Sequence, residues 1–208
     1  FTPGIIAEWA RTTFDGDFFQ QVMDPELRLG VNLTYNSQRG YSYSVAAEDG
    51  LYATLKVRRL ITNHEKNWKS YALINPVFGV WPNHSSLEFR AYAAHSPHLN
   101  ARIAGAAVLV GGKGDPSELN PPLRGYSLGL FRTNRAGVLQ TEYKLPVVQL
   151  FSGYDTWPIF MRNAAVYAFY DTAKMVLAKG TRAGEWSAPI SSYGGGLFVN
   201  TVLGYAVP

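Results

Sequence analysis

Apolar and polar residues alternate along several stretches of the chain, and this alternation is the strongest structural signal in the sequence. In residues 29–36 (LGVNLTYN) the leucines, valine and tyrosine share one face, while the glycine, asparagines and threonine share the other. Residues 51–58, 87–93 and 137–145 repeat the scheme. Because successive side chains of a strand point to opposite faces, a period of two predicts β-strands. We therefore predict an all-β, antiparallel fold.

Helical patterns are scarce by comparison. Only residues 14–23 and 172–179 have a composition that would also allow a short helix of one or two turns. No uncharged apolar run approaches the ~20 residues of a membrane-spanning helix. If the chain meets a membrane, we expect it to do so through strands.

Alternation alone fits two architectures. In a soluble β-sandwich the apolar face is the core, whereas in a membrane barrel it meets lipid and the polar face lines the lumen. Long strands favour the membrane, and Leu27–Val45 is predicted as one continuous arm that ends in the tight turn Ala47–Gly50. Short connections such as Pro82–His84 also contrast with long segments at about 95–135 and 173–190, as in outer-membrane barrels.

Aromatic residues support the same interpretation. The chain contains 13 Tyr, 11 Phe and 5 Trp among its 208 residues. Aromatic side chains gather at the interfaces of membrane proteins. Six of them fall near predicted strand ends, where they would form such girdles: Tyr41, Tyr43, Trp68, Tyr71, Trp81 and Trp157.

Composition excludes several other functions. The net charge is only +4, and without a dense cluster of Lys and Arg we predict no nucleic-acid partner. The absence of cysteine excludes disulfides and thiolate metal sites. His95 and His98 form the closest histidine pair, but they lack a third ligand nearby in the sequence. We predict no metal site, no cofactor and no enzymatic activity.

Five short motifs follow one another in the second half of the chain. They are Gly111-Gly112, Leu123-Arg124-Gly125-Tyr126, Glu142–Pro146 (EYKLP), Ala168–Asp171 (AFYD) and Tyr193–Leu197 (YGGGL). Their order resembles the C-terminal β-barrel region of the BamA/TamA-type superfamily of outer-membrane assembly and translocation proteins, also called the bacterial surface antigen family. The resemblance covers about residues 27–208, and residues 44–50 (SVAAEDG) also resemble a turn of some relatives.

The resemblance implies a role for each motif. In the family, a long loop folds back into the barrel lumen and carries a V/L-R-G-F/Y motif. The next strand carries an E-Y-R-x-P-like motif, the strand after it an F-x-D-x-G-like motif, and a glycine-rich strand follows. This chain departs from the pattern at Lys144, where arginine is usual, and at Thr172-Ala173, where a small residue and glycine are usual.

The chemistry of the loop motif supports a specific contact. Arginine is permanently charged and needs partners inside a barrel. Glu142 shares the polar face of its strand with Gln140 and Lys144, and Asp171 can face the same way. We expect Arg124 to lie between Glu142 and Asp171 in charge-assisted hydrogen bonds, with Gly125 allowing a sharp backbone path. The alternative is a surface loop whose arginine is solvated.

The resemblance also implies a domain organisation. In the family this loop lies between the eleventh and twelfth of sixteen strands. At ~9–11 residues per strand, the chain holds roughly seven or eight strands. We expect a lead-in segment at 1–26, either the end of an earlier strand or a loop, and a barrel region at 27–208. The barrel region would be part of an antiparallel transmembrane β-barrel of about sixteen strands, with an inward-folded loop at about 96–135. The chain stops where the penultimate strand of the family would begin. The alternative is a small complete barrel of eight strands, a permitted number.

These expectations lead to a functional hypothesis. The resemblance implies a protein of the bacterial outer membrane that acts mechanically on the lipid bilayer and on client outer-membrane or secreted proteins, without a cofactor. Other subunits or the remainder of its own barrel would be further partners. Two alternatives stay open: a small passive pore or structural barrel without a client, and a soluble β-sandwich binding module.

Overall fold

A computed structural model describes residues 2–10, 13–14, 21–22, 26–41, 44, 46–61, 66–82, 84–97, 108–112, 120–153, 159–176 and 185–203. These residues form β-strands and irregular segments without a helix, so none of them belongs to a helix long and apolar enough to cross a membrane. The strands are β1 Thr2–Ala10, β2 Thr13–Phe14, β3 Gln21–Val22, β4 Glu26–Asn36, β5 Gly50–Ile61, β6 Lys66–Val80, β7 Ser85–His95, β8 Val108–Val110, β9 Phe131–Thr133, β10 Arg135–Gly153, β11 Ile159–Met175 and β12 Ile190–Leu203.

Eight of the strands form one antiparallel sheet in the order β1-β4-β5-β6-β7-β10-β11-β12. Two short pairs, β2–β3 and β8–β9, are inserted in the connections. The predicted all-β, antiparallel fold is confirmed. Within the described residues β1 and β12 are the two ends of the sheet and do not pair with each other, so this part of the chain does not form a closed barrel of eight strands.

The first residues and the two considered helices are strand or β-bridge wherever the structure describes them. Of the two alternatives for the lead-in segment 1–26, a strand occurs at β1, which pairs with β4 over nine residues and belongs to the same sheet. The short helix considered at 172–179 is wrong for residues 172–175, which end β11 and pair with β10, and of which 172 and 173 also pair with β12. Of the other considered helix, 14–23, the described residues 14 and 21–22 are strand and the rest lies outside the described residues.

The predicted continuous arm Leu27–Val45 is also wrong, because β4 ends at Asn36. There the backbone amide of Gln38 donates to the Asn36 side-chain oxygen (3.0 Å). The Ser37 hydroxyl donates to the Leu51 carbonyl oxygen (3.2 Å). The Asn36 bond is local, and local side-chain bonds of this kind offer the backbone an alternative to a sheet ladder. A thirteen-residue connection, 37–49, therefore joins β4 to β5 in place of the predicted tight turn.

The two faces of the sheet differ in chemistry. We call one the polar face, because it carries most of the charged side chains of the central strands, including Glu88, Glu142 and Asp171, all buried. The opposite, apolar face is exposed over most of the sheet. Its exposed large side chains are Leu29, Val31, Leu33, Leu55, Ile74, Phe78, Leu139, Val166, Tyr170, Tyr193, Leu197 and Val199.

The core lies on one end of the polar face, beneath β8, β9 and the loop 120–130. Its buried residues are Tyr71, Tyr92, Ala94, Val108, Val110, Leu123, Ala136, Val138, Ala173 and Met175. The prediction that Tyr71 belongs to an interfacial girdle is wrong, because its place in β6 turns it into this core. Tyr41, Trp68 and Trp81 are exposed, whereas Tyr43 and Trp157 lie outside the described residues.

Candidate functional site

The loop 120–130 reaches the polar face through the motif Leu123–Tyr126. Leu123 is fully buried in the core, and its backbone amide donates to the Gly112 carbonyl oxygen (3.1 Å). Gly125 has a φ of 82°, and a Cβ atom there would lie 3.2 Å from the Ser192 Cβ. A left-handed backbone in close contact with a neighbouring strand favours glycine. This local geometry aims Arg124 at the sheet.

Arg124 makes a bidentate ion pair with Asp171 of β11. Its Nε donates to Oδ2 at 2.9 Å and its Nη2 to Oδ1 at 2.7 Å. The backbone amide of Arg124 also donates to Oδ2 (3.2 Å). The third guanidinium nitrogen, Nη1, donates to Oε2 of Glu142 in β10, and the guanidinium carbon lies 4.0 Å from the centre of the Phe169 ring. The structure thus brings together the three charged side chains that the sequence singled out.

Strand register explains why the two carboxylates meet. Gln140 of β10 lies directly opposite Asp171 of β11, and Glu142 lies opposite Phe169. Positions two apart on a strand share a face, so Glu142 and Asp171 stand diagonally on the polar face. The Gln140 side-chain amide also donates to Asp171 Oδ2 (2.9 Å).

The ion pair continues into a larger network on β7 and β10. Lys144 Nζ donates to Glu88 Oε2 at 2.9 Å and lies 3.1 Å from Glu142 Oε1. Arg90 Nη2 lies 2.6 Å from Glu88 Oε2, and Asn75 Nδ2 donates to Glu88 Oε1 at 2.8 Å. With Arg124 and Asp171, the network holds three cations and three carboxylates, so its formal charges cancel. Lys144, at a position where the resemblance would imply arginine, therefore supplies a cation to the network.

The electrostatics of Arg124 follow from this burial and pairing. Burial lowers the pKa of the Arg124 guanidinium, but the hydrogen bonds and charges of Asp171 and Glu142 outweigh it and raise the pKa above its ordinary value. The Asp171 side chain is 0% exposed. A buried carboxylate without its partner would carry a large desolvation penalty, so loop and sheet depend on each other.

The loop also contacts β12, the glycine-rich end of the sheet. The Ser192 hydroxyl donates to the Arg124 carbonyl oxygen (2.6 Å). The Tyr126 hydroxyl donates to the Ser191 carbonyl oxygen (3.0 Å). The motif therefore binds three consecutive strands of the sheet, β10, β11 and β12.

A second contact holds the loop to the other half of the sheet. Lys69 Nζ of β6 donates to the Asn120 side-chain oxygen at 2.9 Å, and the Leu109 backbone amide donates to the same oxygen at 3.1 Å. The loop thus has contacts on both sides of the core.

Comparisons of the chain with protein-family models, with curated proteins and with solved structures find no match. The function must therefore be inferred from the fold and from these contacts.

Sequence reasoning missed several participants in the site. Phe169 lies within the quoted AFYD motif, but its place over the arginine depends on the register of β11. Ser192 carried no recognisable signal, because its contact is with a loop 68 residues away. The alternation over residues 87–93 puts Glu88 and Arg90 on one face of a strand but does not predict that they pair.

The arrangement is suited to holding a loop and offers no catalytic chemistry among the residues it contains. Its cations and carboxylates bind one another, and no nucleophile with a general base is among them. Within the described ranges, no group of three or more metal-ligating side chains occurs. His95 is described, while His98 lies outside the described residues.

Proposed function

We propose that this chain forms part of the wall and the inward loop of an outer-membrane β-barrel that helps client proteins to enter or cross the bacterial outer membrane. The observation that carries the proposal is the position of Arg124 between Glu142 and Asp171, on the polar face of the sheet. These are the positions that the resemblance to the BamA/TamA-type superfamily marks. The function would be mechanical, exerted on the bilayer and on client strands, and it needs no cofactor.

The exposed apolar face supports a place in the membrane. In water, each Å² of apolar surface left exposed forgoes about 25 cal/mol of hydrophobic stabilisation, and contiguous apolar patches of this kind mark protein or membrane contacts. A sandwich would bury this face against a second sheet. In the described residues the inserted pair β8–β9 instead packs on the opposite, polar side, which disfavours the soluble sandwich.

The polar face supports a barrel interior. Membrane barrels turn polar side chains inward and apolar side chains outward, and the network of Glu88, Glu142 and their partners would then lie inside. Because an open sheet edge cannot face lipid, the proposal requires β1 and β12 to pair with further strands. These strands would come from the remainder of the same barrel or from another subunit.

The loop that Arg124 attaches to the sheet would occupy a fixed position inside the barrel. The planar guanidinium of Arg124 hydrogen-bonds to two neighbouring strands at once. These bonds fix both the position of the loop along the barrel axis and its orientation. We infer that the loop braces β10, β11 and β12 while the bilayer or a client deforms the remainder of the barrel.

The Arg124 contact is tested by Arg124→Ala, Asp171→Ala and the double variant, with Arg135→Ala as a control at an exposed position. Removing one partner of a buried ion pair costs about 3–5 kcal/mol, and removing the second should add little, because the first loss already disrupts the contact. We expect equal, non-additive losses in the free energy of unfolding in lipid vesicles and in client insertion into those vesicles.

The outcomes separate the alternatives. Unchanged client insertion in all variants would refute the assembly role and favour a passive pore or structural barrel. A chain that stays monomeric in buffer without detergent would instead favour the soluble β-sandwich binding module.

A further inference from the structure

A cleft lies at the end of the sheet where β6 turns into β7. Its volume of about 410 Å³ falls within the range of about 300–1,000 Å³ that is typical of small-molecule sites. The turn lies at the opposite end of β7 from the connection that carries Arg124. We call it the Glu48 cleft, and the residues that line it are Glu48, Gly79, Val80, Trp81, His84 and Ser85.

The Glu48 carboxylate is held in the cleft from both sides. The Ser44 hydroxyl donates to its Oε1, and Nδ1 of His84 lies 2.9 Å from the same oxygen. The backbone is also close to β6, because a Cβ atom at Gly79 would lie 3.3 Å from the Glu48 carbonyl oxygen. Both of these side-chain contacts end on Oε1, so Oε2 of this fixed carboxylate can accept a hydrogen bond from a ligand.

Ser85 adds a buried hydroxyl to the same cleft. The residue is 0% exposed, and its hydroxyl has no hydrogen-bond partner within the part of the chain that the structure describes. Its backbone amide, by contrast, donates to the Pro82 carbonyl oxygen (3.0 Å). Burying a hydroxyl without a partner is costly, so Ser85 calls for a polar ligand group. A hydroxyl can accept a hydrogen bond from an ammonium group or donate one to a phosphate.

Trp81 indicates the depth of the cleft in a membrane. Its side chain is 88% exposed at the end of β6. Indole rings at the ends of membrane-spanning segments lie at the level of the lipid headgroups. An indole ring also attracts cations to its face. The cleft therefore combines a carboxylate, an unsatisfied hydroxyl and an indole at headgroup level.

We propose that the Glu48 cleft binds the ethanolamine headgroup of a phospholipid. This inference rests on the membrane location proposed above. The Glu48 carboxylate accepts a charge-assisted hydrogen bond from the primary ammonium group, and Trp81 attracts the same charge. The Ser85 hydroxyl bonds to the ammonium group or to the adjoining phosphate.

The same chemistry disfavours other common headgroups. A choline headgroup is positively charged, but its quaternary nitrogen has no hydrogen to donate to Glu48. A glycerol headgroup has no cation, and its lipid carries a net negative charge that the Glu48 carboxylate repels. The cleft should therefore distinguish ethanolamine from both.

Titration calorimetry of the full chain in detergent tests this selectivity. The probes are short-chain phosphatidylethanolamine, phosphatidylcholine and phosphatidylglycerol with identical acyl chains. We expect the ethanolamine lipid to bind at least about tenfold more tightly than the other two, as for a hydrogen bond between charged groups. Equal affinity for the three lipids, or no binding of any, would overturn the site.

Glu48→Gln tests the role of the carboxylate, with Glu185→Gln as a matched control. Glutamine keeps the size of the side chain and removes its charge, so we expect it to weaken binding of the ethanolamine lipid by about tenfold. Glu185 is exposed in the connection between β11 and β12, and its substitution should leave the affinity unchanged. The same affinity in both variants would contradict the assignment.

Ser85→Ala provides a second test at the floor of the cleft. It removes only a hydroxyl that has no partner in the described part of the protein, so the unfolding temperature should not fall. We expect it to weaken binding of the ethanolamine lipid by about fivefold. If Glu48→Gln fails to fold, this variant decides, and unchanged affinity in Ser85→Ala then overturns the site.

Failure of the site and failure of the proposed function can be told apart. Equal binding of the three lipids by a chain that inserts into vesicles overturns only the Glu48 cleft. A chain that stays monomeric in buffer without detergent refutes the membrane location and, with it, a phospholipid as the ligand.

Discussion

The guanidinium of Arg124 is the residue-scale feature on which the site depends. It binds both oxygens of Asp171 and one oxygen of Glu142 at the same time, while its flat face lies against the Phe169 ring. Only a planar group with several fixed donors can make these contacts together. A compact ammonium group at the same position could hydrogen-bond with good geometry to only one of the two carboxylates.

Arg124→Lys tests whether the site requires the planar guanidinium group. We expect a loss of about 1–3 kcal/mol in the free energy of unfolding, because one of the two buried carboxylates loses its charged hydrogen bonds. Unfolding of the protein in lipid vesicles with the denaturant guanidinium chloride measures this loss of stability. Arg135→Lys, at an exposed position, should change stability by less than about 0.5 kcal/mol. If Arg124→Lys were as stable as the unaltered chain, the proposed role of the Arg124 guanidinium would be contradicted.

Parts of this site could be foreseen from single residues. Glu142 was placed on the polar face by alternation along β10, and Arg124 was singled out by the order of the motifs. The contacts of Phe169 and Ser192 with Arg124 could not be predicted, because they require the register between β10, β11 and β12. Register depends on backbone pairing along whole strands, including the irregularity between Met161 and Asn163, which no local pattern encodes.

At the scale of the strand, β12 is adapted to the aromatic rings of β11. Tyr167 lies opposite Gly196 and Phe169 lies opposite Gly194. A Cβ atom at Gly194 would lie 2.8 Å from the Phe169 ring, and one at Gly196 would lie 2.9 Å from the Tyr167 ring. The rings therefore occupy the space that side chains of β12 would otherwise fill, which also positions Phe169 beneath Arg124.

Gly194→Ala should push the Phe169 ring away from Arg124. We expect it to destabilise the fold by about 1–3 kcal/mol, the usual cost of overpacking, as measured by unfolding in lipid vesicles. Gly137→Ala is the matched control, because the nearest atom to a Cβ there is 3.9 Å away. In a Phe169→Ala background the added methyl group fits, so the cost of Gly194→Ala should disappear. An undiminished cost in that background would argue against the ring contact.

The elements themselves were largely predictable from the period of two. The predicted segments 29–36, 51–58, 87–93 and 137–145 all lie within strands of the sheet. The end of β4 was missed because the side chains of Asn36 and Ser37 bond the nearby backbone. Hydrophobic alternation carries no information about such bonds.

At the scale of the whole molecule, the sheet inverts the distribution of charged and apolar side chains that is usual in a soluble protein. Its charged face is buried and its apolar face is exposed, as the register of the eight strands requires. Burying charges while exposing leucine and valine is unfavourable in water. The same distribution is favourable where lipid meets one face and a polar interior meets the other. This inversion is the main support for the proposal that the protein lies in a membrane.

The measurement that tests this claim most directly uses two neighbouring residues of β11. The chain has no cysteine, so the single substitutions Val166→Cys, on the apolar face, and Tyr167→Cys, on the polar face, each allow one fluorescent label to be attached. The labelled proteins are reconstituted into vesicles that contain brominated lipids. We expect the bromine atoms to quench the label at Val166 strongly and the label at Tyr167 weakly. Equal quenching at the two positions, or none at Val166, would contradict a lipid-facing apolar surface.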